Sequence, residues 1–511
     1  MTDPALRRAA YRVVVSAFAG TTVPSWLPEL VEAGLGGICL YGNNLDAGSE
    51  RTLTLARELA QLSAQLIITV DEEGGDVTRL DYGTGSAFPG NGVLGRYDDL
   101  DTTTSVARAT AARLKTAGIW LDLAPDADVN SDPRNPVIGT RSFGADPHLV
   151  ARHTVAFVDG LQREGVAACV KHFPGHGDTA TDSHLELPCV NADLATLHDR
   201  ELIPFAAAIA AGTACVMTSH IVVEAIDPGR PATLSHAVLT GLLRKEMGYD
   251  GVIVTDALDM AGASADIGIP AAAVAALSAG ADLLLLGPDN LGRGPAHTLD
   301  TVEAILAAVE SGALSADRLI EAAHRVDLLA ATYGTGIGVA DPAVIEAGCE
   351  AGEYAAAAVI GDLDIDLPSG RALVIRIDTG SNLAVGVAPW GDLALSDADV
   401  VTVDERLAEI TTLVAHPGPV IVVGRRLDAE PRVFEWLAEL ARRRPDTLVV
   451  ELGWPGPRLS ALPRTVLGWG SSPACAHAVG RAIERARPQS PETSSTRDIL
   501  GTRDTLDRRA R

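Results

Sequence analysis

AACVKHFPGHGDTATDSHLELP, residues 167–188, begins as an apolar run and turns abruptly polar. Residues 167–170 carry only small and apolar side chains, and the run ends on Lys171 and His172. A strand that is apolar on both faces belongs to a sheet covered on both sides, which means parallel strands joined by helical crossovers. The same grammar recurs on either side. YRVVVSAFAG, GGICLYG, QLIITVDEE, IWLDLAPDADV, ACVMTSHIVV, GVIVTDALD and ADLLLLG read as further strands between residues 11 and 287. Stretches of helical period lie between most of them, at 47–63, 102–117, 147–164, 194–211 and 298–311. Eight such units in about 300 residues predict an α/β fold of the TIM-type (β/α)8 barrel kind.

The strand ends favour a barrel over an open sheet. Asp71 and Glu72, Asp126, Lys171 and His172, His220, and Asp256 each follow a different apolar run. A barrel brings those ends to one mouth, whereas an open sheet concentrates function at a single switch point. Polar turns alone are the simpler account, but turns favour Gly, Pro, Asn and Ser over a Lys-His pair.

Beyond residue 315 the pattern changes. Helical segments near 316–332 and 341–358 lead through LPSGRA into ALVIRID, VVTVD, PVIVVGR, TLVVELGW and TVLGWG. These alternate with helical stretches near 404–414, 430–443 and 473–486. The expected organisation is a barrel over 1–335, a smaller α/β sandwich domain over 336–487, and a disordered tail over 488–511 that is rich in Ser, Thr, Pro and Arg.

Composition narrows the partners. Over 511 residues the formal net charge is -26, which argues against nucleic acid and against an anionic membrane surface. A neutral sugar is compatible with it. Apolar residues make up 47% and aromatic residues 4%, so the core is aliphatic. The six cysteines, at 39, 169, 189, 215, 349 and 475, form no CxxC pair and suggest neither a disulfide framework nor a zinc site. The N-terminal apolar stretch is short and interrupted by Arg12, so no signal peptide is read, and no run is long enough to span a bilayer. A cytoplasmic location is the expectation; the oligomeric state stays open.

Four segments carry chemistry. In 171–188, Lys171, His172, His176, Asp178, Asp182, His184 and Glu186 crowd into a loop opened by Pro174, Gly175 and Gly177. Such a segment has little to bury and many polar groups that are costly to bury, so it reads as a flap beyond a strand. Its histidines and aspartates could hold a metal, but solvation explains them more simply and no metal is expected. In GVIVTDALDMAGA, 251–263, Asp256 ends an apolar strand, where it could cap a helix or attack an anomeric carbon. DEEGGDVTRL, 71–80, sets acidic groups and Arg79 around a glycine pair, and NPVIGTRSFG, 135–144, contributes Arg141.

Together these four segments resemble the β-N-acetylglucosaminidases of glycoside hydrolase family 3, the group that includes the bacterial NagZ enzymes of cell-wall recycling. The likeness runs from about residue 10 to 330, with KHFPGHGDTATDSH as its most specific part. It implies a TIM barrel, no cofactor, and release of GlcNAc with retention of configuration. By the same resemblance Asp256 is the nucleophile, Asp182 and His184 form a dyad with His184 as acid/base, and Asp71, Arg79, Arg141, Lys171 and His172 bind the sugar. Asp76 departs from the family, which usually has Arg after the glycine pair, and TDAL stands where SDDL or SDAL is commoner.

A histidine suits the acid/base role on physical grounds. Its unperturbed pKa of about 6.5 lets one group protonate the leaving oxygen and then deprotonate the acceptor. An aspartate two residues earlier can orient the ring. The neutral base form also tolerates an anionic acceptor, so phosphorolysis is the variant to weigh against hydrolysis. A Schiff-base aldolase using Lys171 and a non-catalytic sugar-binding protein are the other readings.

Overall fold

The computed structural model describes residues 3–45, 49–179, 188–288, 292–334, 337–378, 384–386, 388–403, 407 and 409–487. Eight parallel strands form the first sheet: β1 (Val14–Ser16), β2 (Gly37–Cys39), β3 (Ile67–Val70), β4 (Leu121–Asp122), β5 (Ala167–Phe173), β6 (Cys215–Thr218), β7 (Val252–Val254) and β8 (Leu284–Leu285). Each pairs with its successor up to β7, as in Val15↔Gly37, Cys39↔Thr69 and Met217↔Val254. The ring closes because β8 pairs with β1 through Val14↔Leu284, and Val254 bridges Leu283. This is the TIM-type barrel that the apolar runs predict.

Alternation along the strands builds two apolar layers. Ile38, Ile68, Val170, Val216 and Ile253 pack with the surrounding helices. Their neighbours Cys39, Ile67, Cys169, Met217 and Val254 join a separate cluster that fills the barrel. Both faces are therefore buried, with each fully covered aliphatic side chain worth roughly 1.5–3 kcal/mol. The helices Ser49–Ala60, Leu100–Ala117, Pro147–Arg163 and Pro295–Ser311 match the helical periods. Over 194–211 the helix is instead interrupted by a π-turn at Leu197–Glu201. Of the expected strand at 119–129, only Leu121–Asp122 forms a ladder. Pro125 removes a backbone donor there, and the chain beyond it is held to β5 by the Ala127 N–H donating to Lys171 O at 2.6 Å.

The second sheet has five parallel strands: β9 (Ala372–Ile377), β10 (Ala398–Val403), β11 (Val420–Gly424), β12 (Leu448–Glu451) and β13 (Thr465–Leu467), in spatial order β10-β9-β11-β12-β13. Two apolar clusters cover its faces, one involving the helix Pro473–Ala486 and the other Pro431–Arg443. That is a three-layer α/β sandwich. The tail assigned to 488–511 lies outside the described residues.

The two sheets are tied together beside the barrel mouth. Helix Pro342–Ile360 packs on Leu100–Ala117 and on Pro473–Ala486. Asp76, in the segment after β3, accepts from the Ser471 N–H at 2.8 Å, the Ser471 hydroxyl at 2.7 Å and the Thr140 hydroxyl at 2.8 Å. In the same segment Gly75 (φ +61) lies against Gly90 (φ +84), so a Cβ on Gly75 would stand 2.6 Å from Gly90 Cα. Among the described residues no helix is long and apolar enough to cross a membrane.

Candidate active site

A cavity of about 760 Å³ opens at the C-terminal ends of the barrel strands, within the size range of small-molecule sites. Asp71 and Glu73 come from the segment after β3, Lys171 and His172 from the end of β5, and Asp256 from just beyond β7. Arg79 and Arg141 reach it from the loops after β3 and β4. The site thus brings together six of the eight residues named from the sequence: Asp71, Arg79, Arg141, Lys171, His172 and Asp256. The other two, Asp182 and His184, fall in 180–187, outside the described residues.

Glu73 anchors the cationic side. Arg141 grips it with two prongs, Nε at 2.9 Å and Nη2 at 2.8 Å. Lys171 Nζ stands 2.7 Å from Glu73 and 2.7 Å from Asp71. Burial opposes ionisation of Glu73, yet Arg141 and Lys171 hold its carboxyl well below the usual range. Burial likewise opposes the Lys171 ammonium, which Asp71 and Glu73 hold above its ordinary value. Both cations are therefore fixed and charged, and Lys171 does not have the lowered pKa that a Schiff-base amine needs. Arg79 Nη2 donates to Ala384 O at 2.9 Å, and Ala384 and Gly386 line the same cavity, so the second sheet's loops contribute to its wall.

His172 is almost fully buried. Nδ1 is 2.7 Å from Asp128 Oδ2, and Arg141 Nη2 is 3.2 Å from Nε2. Burial first, then the Arg141 charge, bring the ring's pKa down to about 4, so it is neutral at pH 7. Burial and the neighbouring Asp128 push the Asp126 carboxyl up, against the pull of Arg141 and His172. Asp256 is partly exposed, with Oδ1 accepting from the Ala257 N–H at 2.7 Å. His220 Nε2 donates to Ala257 O at 2.9 Å and braces that strand end without entering the cavity wall.

Glu73 and Asp128 are not among the residues named from the sequence, and His176 is named there only as a member of its loop, with no role. Glu73 is next to Glu72, and nothing in DEEGG tells which acid faces inward. The structure makes Glu72 the turn's staple, accepting from Arg79 N, Leu80 N and the Thr78 hydroxyl at 2.7–2.8 Å. Asp126, Asp128 and His172 form the one group of potential metal ligands among the described residues, with ligand atoms within 4.8 Å of one another. The Asp128 oxygens already accept from His172 and His176, and Arg141 Nη2 lies 3.7 Å from Asp126. That cationic neighbour leaves the group poorly suited to a cation.

Residues 23–329 match the model of the glycosyl hydrolase family 3 N-terminal domain. The chain superposes with a TM-score of 0.82 and 32% identity on a glycoside hydrolase family 3 β-N-acetylglucosaminidase from Paenibacillus sp. FPU-7, over 94% of this chain and 97% of that one. It is 36% identical to β-hexosaminidase A of Pseudoalteromonas piscicida over 60% of this chain and 55% of the relative. To a β-hexosaminidase of Methylococcus capsulatus it is 37% identical, over 50% of this chain and 77% of the relative. With its first sheet matched almost throughout by the family model and its strand ends gathered on one cavity, the chain belongs to glycoside hydrolase family 3.

Proposed function

We propose that this glycoside hydrolase is a retaining exo-β-N-acetylglucosaminidase. The observation that carries the reading is the convergence of Asp71, Arg79, Arg141, Lys171, His172 and Asp256, from four separate strand-end segments, on one cavity. Similarity to β-hexosaminidases and to a β-N-acetylglucosaminidase supports the choice of sugar.

In this mechanism Asp256 attacks the anomeric carbon as the glycosidic bond breaks, giving a covalent glycosyl-aspartate. His184, oriented by Asp182, protonates the departing oxygen. It then takes a proton from water, which attacks the anomeric carbon and releases Asp256, restoring the original configuration. Lys171, Arg141, Asp71 and Arg79 hold sugar hydroxyls. His172, neutral at pH 7, contributes hydrogen bonding rather than acid catalysis. Cytoplasmic action on muropeptide or chitin-derived fragments completes the proposal.

The test is release of p-nitrophenol from its β-N-acetylglucosaminide and from its β-glucoside, with and without phosphate. Turnover of the first alone, indifferent to phosphate, is the expected result. A phosphate-dependent sugar 1-phosphate would replace hydrolysis by phosphorolysis, and no turnover of either would remove the reading.

A further inference from the structure

Asp128 stands behind the cavity wall and is wholly buried. Its two oxygens hold one ring and two backbone N–H groups of the same segment. Oδ2 faces the His172 ring, 2.7 Å from Nδ1. Oδ1 accepts the backbone N–H of His176 at 2.6 Å and that of His172 at 3.3 Å. The carboxylate is itself held in place, because its own N–H donates to Asp126 Oδ1 at 2.9 Å and Ala127 is bonded to Lys171.

This arrangement sets the state of the ring. A carboxylate can only accept, so Nδ1 of His172 carries the hydrogen and Nε2 keeps its lone pair. The guanidinium of Arg141, which can only donate, meets that lone pair at 3.2 Å. One acid therefore orients a cavity side chain and also ties down the backbone at His176, where the flap begins.

We propose that Asp128 is a positioning residue that locks the His172 ring and the root of the flap into one register. Its expected kinetic effect rests on the hydrolase reading above, in which His172 binds sugar and the flap carries His184. Loss of the carboxylate is then felt twice, as weaker sugar binding and as poorer protonation of the leaving group.

The experiment is Asp128→Asn in the full chain. An amide must turn its NH2 towards either the His172 ring or the His176 N–H. The first choice forces a hydrogen onto Nε2 against Arg141; the second repels the flap. Expected is a fall in kcat/KM on the order of 100-fold on p-nitrophenyl β-N-acetylglucosaminide. The loss is expected to be larger still on an alkyl glycoside, whose leaving group needs the proton. Combined with His172→Ala, the losses should be well short of multiplicative. A value within about 3-fold of the parent, or fully multiplicative losses, overturns the proposal. Should the variant fail to fold, the 15N shifts of the His172 ring in the unaltered protein decide: a bare Nε2 is expected, and a protonated Nε2 overturns it. Absence of turnover in the unaltered protein would count against the hydrolase reading, whereas the ring shifts would still report on Asp128.

Discussion

Glu73 and Glu451 are the same kind of residue in the same kind of place. Each lies at or just past the C-terminal end of a parallel strand, and each is buried. Glu73 finds its partners in side chains, Arg141 and Lys171, that line a cavity. Glu451 finds them in the main chain, accepting from Arg426 N, Leu427 N and Gly453 N at 2.6–2.8 Å. The first arrangement leaves charge facing space that a ligand can fill; the second consumes an acid to close a turn. Glu72 shows that the barrel uses both devices within one motif. A buried carboxylate at a strand end is therefore a sign of function only when its partners are themselves side chains at a cavity.

The strongest way to break this contrast is at Asp256. Asp256→Ala should lower turnover by ~10⁴-fold or more while shifting the melting temperature little, since a partly exposed strand-end carboxylate contributes little to the core. Residual activity near the parent's would remove its role as nucleophile. Next come the two glutamates. Glu73→Ala leaves two buried cations short of a partner and should cost about 3–5 kcal/mol in denaturant unfolding, with activity lost as well. Glu451→Ala should cost about 2–3 kcal/mol through orphaned amides, with kcat/KM almost unchanged. Equal loss of activity in both would erase the distinction.

Their pH signatures should also be opposite. Glu73 is held low, so its stabilisation is present above the ordinary glutamate pKa and is lost as the pH falls through its folded value. Glu451 is pushed up to about 7 by burial, against the pull of its three amide donors. The folded state holds that proton more tightly, so this group lowers stability as the pH rises from about 4.5 to 7. Glu451→Gln should accordingly gain on the parent in melting temperature between pH 5 and 8; a pH-independent difference would contradict the assignment. The smallest effect is expected at the brace between the sheets. Asp76→Ala should cost about 1–2 kcal/mol and change kcat by less than about 3-fold.

The barrel was legible because its signal is redundant: AACVKHF forms a strand over all seven of its residues, Ala167–Phe173. The strand read at 119–129 was not, because Pro125 interrupts a pattern that apolar content alone cannot resolve. In the site, Lys171 and His172 were readable since polar groups at a strand end have few structural excuses. Glu73 and Asp128 were hidden for the opposite reason. Acids beside a glycine pair or after a proline fit ordinary turns, and only three-dimensional partners tell a staple from a ligand-facing group. Asp76 read as a departure within a sugar-binding segment, and its hydrogen bonds turn instead towards Ser471 and Thr140.

The contact between Gly75 and Gly90 sets a limit on how this cavity can change. Two stretches of backbone touch there with no side chain between them, and one of them carries Asp71 and Glu73. In the wall itself a lineage can trade one side chain for another and resize the pocket by small steps. At this contact there is no smaller residue to retreat to, and any larger one pushes the acids out of place. Adaptation to a different sugar would therefore have to proceed through the side chains facing the cavity, around a spacing that the main chain has already fixed.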